Sequence, residues 1–221
     1  MKRLGLFARA PEAGRVKTRL SPALPPRLAC DLYRGLLGDA IDVLASARSE
    51  DRTLFVAGDG HAGIEAGGGV RVEPQVGRDL GERLENAFAG LLRGDGDRAV
   101  IFGADCPALS PAVIDRAFAA LEREDAVVAP ARDGGYALIG LRRLTAELFR
   151  GIDWSTDRVM AQTLERARSA GLRVDRLETL DDLDTPEDLI RALLALGSDL
   201  RLAPRTRGAL ERMRLLPPLA L

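Results

Sequence analysis

The sequence predicts an α/β fold, a three-layer αβα arrangement around a mostly parallel, twisted sheet. Three observations predict it. Short apolar runs alternate with longer amphipathic stretches along the chain. Helix punctuation, with Ser or Thr before Pro at one end and Gly at the other, falls between those runs. Strands that alternate with helices imply βαβ units and parallel pairing.

In chain order, "LGLFA" (4–8) reads as a buried strand. Leu28, Leu32, Leu36 and Leu44 then recur near helical spacing, so a helix is expected after Pro25-Pro26. "TLFVA" (53–57) and "VRVEP" (70–74) are the second and third strands. "LGERLENAFAGLL" (80–92) is a helix with Leu84, Phe88 and Leu91 on one face. "AVIFG" (99–103) is the central-strand candidate, and Ser110 is expected to cap a helix with Pro111 in first position. "AVVAP" (126–130) and "YALIG" (136–140) are two strands split by "ARDGG". A helix covers roughly 157–170 and stops at Gly171, where an αL residue ends a helix without penalty. "RVDRLE" (173–178) is a strand, and "TPED" (185–188) opens a helix with Thr185 as cap and acids in the first turn. Residues 1–197 form one expected domain, with 198–221 as a helical extension or tail.

Composition narrows the function. The 221 residues suffice for one large domain with a full core. A formal net charge of -1 offers no global field for nucleic acid or an anionic membrane, so anion binding must be local. No window supplies the roughly 18 apolar residues of a membrane span, and the N-terminal apolar run is too short for a signal peptide. Cys30 and Cys106 show no CxxC spacing, which argues against zinc or a disulfide framework and for a reducing cytoplasm. The single histidine, His61, lies in a Gly-rich stretch and reads as a surface-loop residue, so neither a Ser-His-Asp nor a Cys-His arrangement is available. The oligomeric state is open; a homodimer is compatible with the sequence.

In open α/β sheets, ligands bind beyond the carboxyl ends of the strands, and four unusual stretches sit there. The first is "RAPEAGRVKTRL", where Arg9, Arg15, Lys17 and Arg19 crowd around Gly14. The chain has only two lysines, Lys2 and Lys17, among its 32 basic residues. Lys2 adjoins the initiator Met, so Lys17 is the informative one. A lysine is a compact charge on a flexible stem and can follow a phosphoryl group where a guanidinium fork cannot. A solvated basic loop is the plainer alternative. No Walker GxxxxGK[ST] occurs. The second stretch, "FGADCP", brings Asp105 out after the central strand, and the third, "DDLDTPEDL", brings out Asp184. Each is either a turn residue or one of a carboxylate pair for magnesium, if their strands are neighbours. Asp181 and Asp182 read as solvated or capping. The fourth, "PARDGGYALIG", places Asp133-Gly134-Gly135 in a tight turn before Tyr136, which is either an ordinary Asp-Gly hairpin or a substrate-facing loop.

"FARAPEAGRVKTRL", "GADCPAL", "ARDGGYALIGL", "GIDWST" and "LDTPEDL" occur in one order. Together they resemble the type-one radical-SAM/selenodomain-associated transferase family, over about residues 4–190. Members of that family resemble GT-A-fold nucleotidyl- and glycosyltransferases, so the resemblance implies a GT-A-like nucleotide-diphospho-sugar transferase fold. More distantly, Lys17-Thr18-Arg19-Leu20, Asp133–Gly135 and Asp184–Asp188 are similar to segments of the 2-phospho-L-lactate guanylyltransferases. That similarity implies that Lys17 holds a triphosphate with Arg9, Ala10, Pro11, Gly14 and Arg19. It implies Mg2+ (or Mn2+) on Asp105 and Asp184, with Lys17 and Asp105 as the catalytic pair. Asp133, Gly134, Gly135 and Tyr136 meet the acceptor. Gly81 and Arg83, in "GRDLGERLENAF", flank the base, and Asp79 lies with them. Two features depart from the relatives: Tyr136-Ala137 stands where the guanylyltransferases have Thr-Asn, and the GxGxR loop of sugar nucleotidyltransferases is missing. Trp154 has no counterpart; core, lid and stacking on a base or sugar all suit a lone Trp.

The expected activity is nucleotidyl transfer from a nucleoside triphosphate to a small phosphorylated acceptor, with release of pyrophosphate. A glycosyltransferase using a nucleotide-diphosphate sugar is the enzymatic alternative. A non-catalytic nucleotide-binding module is the alternative of a different class. The base and the acceptor are open at this level.

Overall fold

The computed structural model describes residues 1–58, 64 and 66–217; His61 and the last four residues lie outside them. Among the described residues, seven strands form one sheet: β1 (Lys2–Arg9), β2 (Asp51–Ala57), β3 (Arg71–Pro74), β4 (Arg98–Gly103), β5 (Ala126–Pro130), β6 (Tyr136–Leu141) and β7 (Val174–Arg176). Their order is β3-β2-β1-β4-β6-β5-β7. Pairing is parallel except at β6, which runs antiparallel to both β4 and β5. The predicted sheet is therefore observed, with one antiparallel strand inserted through the tight β5–β6 connection.

Among the described residues there are six α-helices, α1 (Pro26–Ser46), α2 (Leu80–Leu91), α3 (Pro111–Ala120), α4 (Val159–Ser169), α5 (Pro186–Ser198) and α6 (Pro204–Arg212), of which α1 to α4 pack on the sheet. Alternation along the strands separates two cores. Leu4, Leu6 and Ala8 of β1 and Val100 and Phe102 of β4 face α1 and α3. Phe55, Ile101, Val128 and Ile139 face α2, α4 and a 3-10 turn at Ala146–Phe149. Phe88, Phe102 and Phe118 are among the largest fully buried side chains, and burying a phenylalanine contributes about 1.5–3 kcal/mol. A third apolar cluster joins the outer face of α1, through Leu32 and Leu36, to Leu189 and Leu196 of α5 and Leu210 of α6. Asp39 of α1 accepts from the amides of Arg205 and Thr206, tying α6 to α1.

Local expectations hold with two corrections. Leu32, Leu36 and Leu44 are buried, but Leu28 is exposed: in the first turn of α1 it is the neighbouring Ala29 that turns into the third cluster. Ser110 occupies the N-cap of α3, yet its side chain makes no capping hydrogen bond. Thr185 caps α5 in a reciprocal box with Asp188. Two elements carry no periodic signal and were not predicted, the 3-10 turns at Thr18–Leu20 and Ala146–Phe149. No described helix is long and apolar enough to cross a membrane.

Candidate active site

The loop after β1 turns its one lysine inward. Val16 and Leu20 are buried on either side of Lys17, anchoring the loop in the apolar interior. Lys17 itself takes a left-handed backbone (φ 50, ψ 37) at the start of the Thr18–Leu20 turn. That conformation costs a non-glycine residue of order 1 kcal/mol and persists only where surrounding contacts fix it.

Those contacts are two carboxylates. Lys17 Nζ donates to Asp105 Oδ1 at 2.5 Å and to Asp184 Oδ1 at 2.6 Å. The Lys17 side chain is 3 % exposed, Asp105 49 % and Asp184 32 %. Burial alone would depress the lysine pKa, but Asp105 and Asp184 outweigh it and hold the ammonium above the ordinary lysine range. The ring of Tyr33 lies 5.9 Å from the ammonium. The Tyr33 hydroxyl accepts from Arg9 N at 2.8 Å and donates to Arg9 O at 3.2 Å, and burial pushes its pKa up to about 12.

Asp105 and Asp184 do not come from neighbouring strands. Asp105 follows β4 and Asp184 follows β7, with β6 and β5 between those strands. The segment after β7 instead travels back along the carboxyl edge of the sheet. Leu177 N donates to Val128 O, Leu180 N to Pro130 O and Arg132 N to Leu180 O, and Leu183 N reaches Asp105 O at 3.0 Å. The condition set by the sequence, adjacent strands, fails, and a crossing loop achieves the juxtaposition.

The Asp-Gly-Gly turn is held from the other side. Asp133 Oδ1 accepts from Gly135 N at 2.8 Å. Gly134 (φ +90) accepts at its carbonyl from Met160 N, and a Cβ there would lie 2.3 Å from Asp157 O. The turn thus carries the 151–158 loop directly against it, and only glycine permits that approach. In that loop Trp154 meets Tyr136 edge-on at 6.5 Å, while burial raises the Tyr136 hydroxyl pKa well above its ordinary value. Gly81 lies under the same tryptophan; a Cβ there would fall 2.4 Å from Phe149 O and 2.9 Å from Trp154 Nε1.

One cavity of about 900 Å³ runs along this edge. Arg9, Lys17, Arg19, Arg83, Asp105, Asp133, Gly135, Tyr136 and Asp184 line it, and so do Arg15, Asp79 and Trp154. The volume lies within the range of small-molecule and cofactor sites. Ala10, Pro11, Gly14, Gly81 and Gly134 do not line it. Ala10 is buried, Pro11 O faces α1 and accepts from Arg34 and Cys30, and Gly14 (φ +82) forms the loop's outer turn. These five shape the loops. Arg83 is partly engaged, since its Nε donates to Gly77 O at 3.1 Å.

Asp181 is exposed and pairs with Arg132, as a solvated acid should. Asp182 is not solvated: it is 8 % exposed and lines the cavity, and its Oδ1 has no hydrogen-bond partner among the described residues. Burial, with Asp133, Asp188 and Asp184 nearby, pushes its pKa up to about 6. The alternation in Asp182-Leu183-Asp184 was the available signal: an extended segment with Leu183 buried turns its two neighbours to a common side.

The donor set suits a divalent cation. Asp105 and Asp184 already converge on one positive charge, and both offer carboxylate oxygens. No group of three or more His, Cys, Asp or Glu side chains among the described residues forms a complete cage. Magnesium does not require one; it takes one or two carboxylates and completes its shell with substrate phosphates and water.

A family model described as "Uncharacterized protein conserved in bacteria (DUF2064)" matches residues 40–156. The chain belongs to the DUF2064 family. This DUF2064 protein is 31 % identical over 183 residues to the 2-phospho-L-lactate guanylyltransferase of Methanothermobacter thermautotrophicus, covering 80 % of this chain and 78 % of that one. It is 34 % identical over 179 residues to the phosphoenolpyruvate guanylyltransferase of Sphaerobacter thermophilus, covering 78 % and 84 %. Among solved structures, a nucleotide-diphospho-sugar transferase-like protein from Desulfovibrio desulfuricans G20 superposes with a TM-score of 0.88 at 30 % identity, covering 97 % of the DUF2064 chain and 95 % of its counterpart. The DUF2064 protein thus has the fold of nucleotide-diphospho-sugar transferases.

Proposed function

We propose that this DUF2064 protein is a metal-dependent nucleotidyltransferase that moves a nucleoside monophosphate from a triphosphate to a small phosphorylated acceptor. The buried Lys17 ammonium, shared by Asp105 and Asp184 in a cavity lined by arginines, carries the reading. A solvated basic loop would not bury its lysine against two acids. Both curated relatives are guanylyltransferases by name, so GTP is the first donor to test, with 2-phospho-L-lactate and phosphoenolpyruvate as acceptors. The narrower kinship to radical-SAM/selenodomain-associated transferases rests on the five ordered motifs.

In this reading an acceptor phosphate oxygen attacks the α-phosphorus. The new P–O bond forms as the bond to the bridging oxygen of the β-phosphate breaks, and pyrophosphate leaves with the electron pair. Lys17, Arg9 and Arg19 position the triphosphate and offset the charge that develops on it. Asp133 and the Gly135 turn border the acceptor. Asp105 and Asp184 would hold Mg2+ or Mn2+, which supplies Lewis-acid polarisation of phosphoryl oxygens when bound. Residues 1–197 form the catalytic unit and 198–221 an extension of it. A reducing cytoplasm suits the free thiols Cys30 and Cys106.

Incubation with each nucleoside triphosphate, magnesium and acceptor, followed by pyrophosphate assay, tests the proposal. Pyrophosphate release dependent on both acceptor and metal is expected. No release, alongside consumption of a nucleotide-diphosphate sugar, would replace it with glycosyl transfer, the reading favoured by the Desulfovibrio likeness.

A further inference from the structure

The charges on the cavity wall are sorted by the segment that supplies them. Among the described residues, its arginines come from the loop after β1 (Arg9, Arg15 and Arg19) and from the entry to α2 (Arg78 and Arg83). The Asp-Gly-Gly turn, the 151–158 loop and the segment after β7 supply Asp133, Asp157, Asp182 and Asp184, and no Lys or Arg. Lys17 and the metal assigned above answer Asp105 and Asp184. Asp133, Asp157 and Asp182 are left, and among the described residues none of them forms an ion pair. The arginines beside them in the chain are spent elsewhere, Arg132 on Asp181 and Arg158 on Asp153.

These three acids border one stretch of the cavity. The turn at Gly134 packs against the backbone of Asp157. Burial first, and then the charge of Asp133, oppose ionisation of Asp182. Asp182 is 8 % exposed and lines the cavity, and its Oδ1 has no hydrogen-bond partner among the described residues. A buried carboxylate without a partner is costly, so its place in a cavity wall calls for a ligand that pairs with it. Trp154 and Tyr136 line the same stretch with ring centroids 6.5 Å apart. The tryptophan is seated on Gly81, where a Cβ would fall 2.9 Å from its Nε1. Aromatic faces beside carboxylates are the surroundings that bind an organic cation. The hydroxyls of a sugar can donate to the same acids, but they leave the negative charges uncancelled.

We propose that the acceptor is a phosphomonoester bearing an ammonium group, received by Asp133, Asp157 and Asp182 beside Trp154, an inference that rests on the nucleotidyl-transfer reading above. The phosphate end of the acceptor attacks the α-phosphorus as written there. The ammonium takes no part in bond making; it cancels the charge of the wall and fixes which end of the acceptor points at the triphosphate. The acceptors in the names of the curated relatives, 2-phospho-L-lactate and phosphoenolpyruvate, carry a carboxylate instead. In this chain that carboxylate would be set against like charges with no cation on the same wall to receive it, an arrangement that rejects a ligand strongly.

Pyrophosphate release by the full chain, with GTP, ATP, CTP or UTP and saturating magnesium, tests this across an acceptor series. Phosphoethanolamine and phosphocholine carry the ammonium, glycerol 3-phosphate is neutral beyond its phosphate, and 2-phospho-L-lactate and phosphoenolpyruvate carry the carboxylate. One of the ammonium acceptors should exceed the other three in kcat/KM by about 10-fold or more. Equal or faster release with a neutral or carboxylate acceptor would overturn the assignment and leave nucleotidyl transfer standing. Asp157→Asn and Asp182→Asn should each raise KM for the ammonium acceptor by about 10-fold and leave KM for glycerol 3-phosphate within about 2-fold. An unchanged KM for the ammonium acceptor in both folded variants would overturn it too. So would loss of a bound magnesium in calorimetric titration of Asp133→Asn against wild type, which would give these acids to a metal. No release with any acceptor and any triphosphate would overturn the nucleotidyl-transfer reading and this assignment with it. The acceptor series uses the wild-type protein, so it decides the matter even if a variant does not fold.

Discussion

The amide of Leu183 donates to the carbonyl of Asp105 at 3.0 Å, and this bond registers two distant loops so that Asp105 and Asp184 share the Lys17 ammonium. The ammonium is buried and holds both carboxylates at once. Lys17→Arg keeps the charge but spreads it over a planar fork. Turnover is expected to fall by about one to three orders of magnitude, the general scale for lost electrostatic stabilisation. Pyrophosphate release measures it; near wild-type turnover would sink the case for an ammonium at this position.

Asp184→Asn removes one of the two charges on Lys17 and one of the two carboxylates assigned to the metal. The magnesium concentration for half-maximal activity should rise by about 10-fold or more, the scale seen when metal-site groups are lost. A magnesium titration that superposes on wild type would take Asp184 out of the metal site.

Asp182 gives a pH signature. Its folded pKa, about 6, lies above the ordinary aspartate value of 3.8. Below both values the acid is neutral in either state and folding bears no penalty. Between them stability falls as pH rises, and above 6 the full cost of a buried, unpaired charge applies. Asp182→Asn should therefore stabilise the metal-free protein at pH 7.5 by about 1–3 kcal/mol, with the gain fading toward pH 4. Thermal denaturation across that range checks it. A gain independent of pH would show that charge is not the cause.

Gly134→Ala tests the turn against the 151–158 loop. The added Cβ would meet Asp157 O at 2.3 Å on a backbone of φ +90. The loop must move or the turn must open, at a cost of about 1–3 kcal/mol. A lower Tm with loss of activity is expected. An unchanged Tm would mean that the two loops are not coupled.

The sequence by itself determined the elements and their layering. Apolar periodicity and caps are local properties, so β4 as a central strand, the Leu84–Phe88–Leu91 face of α2 and the Thr185 cap of α5 were legible without coordinates. It also marked Lys17 as unusual, through composition alone. Only tertiary structure decided what that lysine touches. The loop after β7 crosses two strand ends to reach β4, and no local pattern encodes a crossing made of single backbone bonds between segments far apart in sequence. The same non-locality separates Asp182 from Asp181. Adjacent acids look alike as letters, yet Asp182 is buried at the cavity while Asp181 is exposed and pairs with Arg132.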